Sequence, residues 1–128
     1  MMTAEQRDLA ESERAWLVRN NPIEYLRTNA PEGLESIDPR VLVHVAESGL
    51  ASILTADAGG CQADVAVLTV RHGRAASSLP VADLALGAWL LEAAGLDELV
   101  ASHTRGERYV TVLTAPLSRD LRRRPDRR

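Results

Sequence analysis

Ala63-Asp64-Val65-Ala66-Val67-Leu68-Thr69-Val70-Arg71 is the stretch on which the fold class turns. Val65, Val67 and Thr69 alternate with Ala66, Leu68 and Val70, a period of two that reads as a β-strand. Both sets are mostly apolar, which predicts a central strand covered on two faces. Asp57-Ala58-Gly59-Gly60 reads as the turn before it, and His72-Gly73-Arg74 as its end. Tyr109 to Thr114, with Val110 and Val112 along it and Pro116 beyond, reads as a second strand. Strand, helix and strand over residues 63–114 have the length of a right-handed parallel crossover.

The helix of that unit is Ser78 to Gly95. Ser78 can accept from first-turn amides, Pro80 is tolerated there, and Gly95 can take the left-handed conformation that ends a helix. Val81, Leu84, Leu86, Trp89, Leu90 and Leu91 cover nearly the whole circumference, and Asp83 and Glu92 are the only charges. A helix without a continuous polar face must be covered on more than one side. The expected covers are a sheet of the same chain and a second helix or subunit. Ala85, Gly87 and Ala88 let a neighbouring backbone come close. The expected subunit contact is therefore Leu84, Gly87, Ala88, Trp89 and Leu91.

Towards the N-terminus, Thr3 to Val18 reads as a helix opened by a capping box, Thr3-Ala4-Glu5-Gln6. Leu9, Trp16 and Leu17 form its apolar stripe, while Glu5, Asp8, Glu11, Glu13 and Arg14 read as solvent-facing. Asn20-Asn21-Pro22 stops it, and Pro22 to Arg27 reads as a second short helix. Residues 28–38, with Pro31-Glu32-Gly33, read as loop. Arg40 to Ala56 carries two patterns. Leu42, Val45, Ala46, Gly49, Leu50, Ile53 and Leu54 fit a helix stripe, and Asp38-Pro39 reads as its start signal. Val41, Val43 and Val45 alternate, and Glu47-Ser48-Gly49 could turn a hairpin. The compromise is a helix to about Ser48 followed by a strand from Leu50 to Thr55. Leu96 to Thr104 reads as a short helix on Asp97, and Arg105-Gly106-Glu107 as a turn. The expected fold is α+β (or small α/β): a single domain with a small sheet against a central apolar helix. Residues 1–38 form an N-terminal helical arm, 39–116 the core and 117–128 an Arg-rich tail with almost nothing to bury, expected to be disordered.

The chain has 128 residues and a net charge of −3, enough for one core and no steer towards nucleic acid. All fifteen basic residues are Arg and Phe is absent, which fits a high-GC bacterial coding bias. A lone Cys cannot form an internal disulfide, so the expected compartment is a reducing cytoplasm. No apolar run is long enough for a membrane span, and the first residues lack the basic and apolar regions of a signal peptide.

Val70-Arg71-His72-Gly73-Arg74, at the end of the expected strand, resembles the opening motif of the histidine phosphatase superfamily. That resemblance implies that His72 is a phosphoryl-accepting nucleophile and Arg71 a phosphate clamp, with His103 and Arg105 as distal partners. It covers five residues of the chain. A gentler reading makes Arg71, His72, Arg74 and Ser78 an anion-binding patch, with Ser77 and Ser78 adding helix N-terminal donors. Cys61, His44, His72 and His103 have no metal-ligand spacing, and no P-loop or dinucleotide fingerprint is present, so neither metal nor cofactor is expected. Asp57 and Asp64 read as turn-formers. The expected function is that of a small bacterial accessory or regulatory protein acting through protein–protein contacts as a homodimer. The alternatives are a small anionic-ligand-binding protein or enzyme using Arg71 and His72, and a nucleic-acid accessory factor using the Arg-rich tail.

Overall fold

The computed structural model describes residues 1–29, 37–110 and 112, and every regular element among them is helical. In order they are α1 (Ala4–Asn20), α2 (Pro22–Asn29), α3 (Pro39–Glu47), a 3-10 turn (Leu50–Ser52), α4 (Gln62–Arg74), α5 (Val81–Ala93) and α6 (Asp97–Thr104). The expected α+β fold with its small sheet and crossover is thus corrected: the described residues contain no strand.

The valine-rich stretch is helical for a reason that lies at its start. The Asp64 carboxylate accepts the backbone N–H of Cys61 at 2.7 Å, closing a capping box ahead of the run. Gln6 reaches the other oxygen of Asp64 from α1 at 3.0 Å, which pins the two helix starts together. Val65, Leu68 and His72 then fall at i, i+3 and i+7 and are the residues α4 buries, while Val70 is left 52% exposed. A period of two and a period of 3.6 share several of these positions. β-Branched residues cost a helix only a few tenths of a kcal/mol each, up to about 0.7, so a capped start and a buried stripe outweigh them.

Leu50 to Thr55 is also not a strand. Gly49 turns the chain at φ +72°, and the 3-10 turn buries Leu50, Ala51 and Ser52. The second expected strand lies partly outside the described residues. Within them, Tyr109 and Val110 form no ladder but latch onto the helices. The Tyr109 hydroxyl donates to the Leu42 carbonyl at 2.9 Å, and the Val110 N–H donates to His103 Nδ1 at 3.1 Å. His103 Nε2 donates to the Ala51 carbonyl at 3.2 Å, and burial holds this imidazole's pKa below its ordinary value. The 28–38 loop reading and the whole of the Arg-rich tail fall largely or entirely outside the described residues.

Other expectations hold. Thr3 and Gln6 form the reciprocal capping box at 3.1 Å in both directions. Asp38 caps α3 ahead of Pro39, and Gly95 ends the central helix at φ +70°. That helix, α5, begins at Val81 with Pro80 as its cap residue rather than at Ser78. Val81, Leu84, Ala85, Gly87, Ala88 and Leu91 are buried against α4, α6 and the 3-10 turn. Ala82, Asp83, Trp89, Leu90 and Ala93 face water. The chain's own helices cover one side of α5 and leave one apolar flank open, the side for which a second subunit is the expected cover.

Candidate functional site: a carboxylate shared by two histidines

α1 lies along α4 and buries Ala10, Glu13 and Leu17. These sit at i, i+3 and i+7, on one side of the helix. The reading of Glu13 as solvent-facing is therefore corrected: it is only 3% exposed. Its Oε1 accepts from His72 Nε2 at 2.8 Å and its Oε2 from His44 Nε2 at 2.8 Å. One carboxylate thus bridges α3 and α4 from α1. Burial alone pushes the Glu13 carboxyl up, but the hydrogen bonds and charge of His44 and His72 outweigh it and hold the pKa at about 2. An ionised carboxylate only accepts, so both Nε2 atoms carry the proton.

Each imidazole is fixed on a second side. Trp16, one turn beyond Glu13, stacks on His44 with ring centroids 3.9 Å apart and planes 10° from parallel. His72 Nδ1 lies 3.0 Å from Ser77 Oγ. Ser77 is brought there by the end of α4, where the Ser77 N–H donates to the His72 carbonyl at 3.0 Å. The turn requires Ala76 at φ +51°, a conformation usually left to glycine. Beside His72 and Ser77 a cleft of about 180 Å³ opens between α4 and the start of α5, walled by Thr69, Gly73, Leu79, Ala82 and Asp83.

The residues expected to bind an anion do not converge. Arg71 is half-buried and Arg74 exposed, and both border a groove with Met2, Ala66 and Val70 that excludes His72. Arg71 acts electrostatically on Glu11 of α1. His72 is 2% exposed at the end of a helix, not of a strand, with both ring nitrogens engaged. His103 is bonded to Ala51 and Val110, and Arg105 pairs with Glu107 at 2.7 Å, so neither is turned to His72. Ser78 is exposed. Among the described residues no three His, Cys, Asp or Glu side chains could hold a metal ion, and Cys61 is an exposed thiol. Of the residues expected at a subunit contact, Leu84, Gly87, Ala88 and Leu91 are buried within the chain's own core, and Trp89 is 46% exposed.

Glu13 and the role of His44 are what the sequence reading missed. The spacing did carry a signal: Glu13 is four residues from Leu9 and Leu17 and three from Trp16, on the apolar stripe itself. Comparison with protein-family models, curated proteins and solved structures finds no match. No helix among the described residues is long and apolar enough to cross a membrane.

Proposed function

We propose that the protein is a small accessory or regulatory subunit of a bacterial cytoplasm that works as a homodimer through the open flank of α5. The observation that carries this reading is the stripe Ala82, Leu86, Trp89 and Ala93, with Leu90 beside it. Trp89 is 46% and Leu90 39% exposed, and Asp83 and Glu92 stand at the two borders of the stripe. The spacing i, i+4, i+7, i+11 is that of a helix seam. The rest of α5 is already packed, so this side is the one left for a partner.

A second copy is the occupant the stripe favours, because the stripe is symmetric about its own midpoint. In a two-fold antiparallel pairing, Leu86 meets the partner's Trp89 and Ala82 meets the partner's Ala93, large against large at the centre and small against small at the ends. Such isologous, self-complementary patches suit two-fold dimers. Thirteen residues of helix span about 20 Å, so the contact is small and the dimer reversible. Sedimentation equilibrium tests this. Trp89→Glu places a charge at the seam centre and is expected to weaken association by at least about 30-fold, in the range of a central aromatic anchor. An unchanged association constant would defeat the proposal.

A further inference from the structure

The geometry points to a second activity: Ser77 is a nucleophile, His72 its general base and Glu13 the group that positions His72, together forming a small esterase centre. This goes beyond the dimer proposal and does not depend on it. A hydroxyl becomes a useful nucleophile when a base sits within hydrogen-bond reach and a third group orients the base. Here Ser77 Oγ is 3.0 Å from His72 Nδ1, and His72 Nε2 is 2.8 Å from Glu13 Oε1. Because ionised Glu13 accepts the Nε2 proton, the uncharged form of His72 is the tautomer whose bare lone pair at Nδ1 faces the Ser77 O–H. The order serine, imidazole, carboxylate is that of a hydrolase triad with the two ring nitrogens exchanged.

Three further observations support it. Ser77 sits on a turn held by Ala76 at φ +51°, and backbone strain of this kind clusters at functional sites. His72 is 98% buried and borders the cleft together with Ser77. The cleft beside Ser77 is walled by Ala82 and Asp83 in the first turn of α5, whose cap residue Pro80 has no side chain able to accept from the helix amides.

The substrate class is an ester of a short carboxylic acid, since about 180 Å³ admits little more. Ser77 Oγ bonds to the carbonyl carbon as its proton passes to His72 Nδ1. The tetrahedral adduct expels the alkoxide, which takes that proton and leaves as the alcohol. Water then adds to the acyl-serine, losing its proton to His72. The acid departs as Ser77 regains a proton, and the sum is ester plus water to acid plus alcohol.

The test is mass mapping of the intact wild-type protein after treatment with a fluorophosphonate, alongside turnover of p-nitrophenyl acetate. The expected result is one adduct on Ser77, with turnover falling at least about 100-fold in Ser77→Ala, the low end of what a nucleophile and its base supply. Glu13→Gln should lower kcat with KM held and move the acid limb of the pH–rate profile, which a purely structural role would leave in place. No adduct, an adduct elsewhere, or undiminished turnover in a folded Ser77→Ala overturns the assignment. The wild-type labelling decides the matter even if a variant fails to fold.

Discussion

Glu13→Ala is expected to destabilise the protein by about 3–5 kcal/mol at neutral pH, the range for removing one member of a buried ionic cluster. The loss does not come from the missing side chain alone. Two Nε2–H donors, on His44 and His72, lose their acceptor together, and His72 at 2% exposure is almost wholly screened from solvent. In a chain of this size the melting temperature should fall by roughly 10–20 °C. Glu13→Gln should fall between, because its single carbonyl oxygen can serve one imidazole and its amide group opposes the other. The dependence on pH has a definite sign. The folded Glu13 carboxyl has a pKa of about 2 against an ordinary 4.5, so the unfolded chain binds a proton that the folded chain refuses. The stabilisation is present in full above pH 4.5 and is lost as pH falls towards 2. Thermal melts of wild type and Glu13→Ala should therefore converge over that window; curves that stay parallel would contradict the account.

Gly87→Val should destabilise by about 3 kcal/mol, and Gly87→Ala by less. Two effects compete. Replacing a mid-helix glycine by alanine favours the helix by about 1 kcal/mol. Against it, a Cβ at position 87 would run into the Val110 carbonyl oxygen and lie 3.1 Å from its carbon, and backbone atoms cannot rotate away. Residues 109 and 110 must shift, which strains the Val110 bond to His103 and the Tyr109 bond to Leu42. Overpacking of this kind costs about 1–3 kcal/mol, so the clash wins for alanine and wins clearly for valine, which gains little propensity. Chemical denaturation of the two variants checks the order; a stabilised Gly87→Ala would show that this close approach is slack.

How much of this was legible in the sequence depends on which signal each element carried. Capping chemistry was readable: Thr3 and Gln6 at the start of α1, Asp38-Pro39 at the start of α3 and Gly95 at the end of α5 stand where local hydrogen bonding and backbone freedom put them. The valine run was misread because alternation and a helical stripe coincide over nine residues. The deciding feature is the bond from the Cys61 N–H to Asp64, a residue whose place beside Gly59-Gly60 reads in the sequence as turn-forming. α5 looked apolar all round because composition does not say which neighbours arrive. Its core side is covered by α4, α6 and the 3-10 turn, and its outer flank by nothing in the described chain. The candidate site was half visible. His72 stood out, but beside Arg71, whose side chain leaves the helix about 100° away and serves another face. Glu13 is 59 residues from His72 and 31 from His44, and no local pattern ties groups that far apart.

A single ionised carboxylate of α1 holds the Nε2 protons of two imidazoles. Long-range ¹H–¹⁵N correlation of the histidine rings at neutral pH observes this directly. The prediction is a proton on Nε2 of both His44 and His72, slow to exchange with water and released to fast exchange in Glu13→Ala. A wild-type spectrum in which either ring carries its proton on Nδ1 alone, with Nε2 bare, would contradict it.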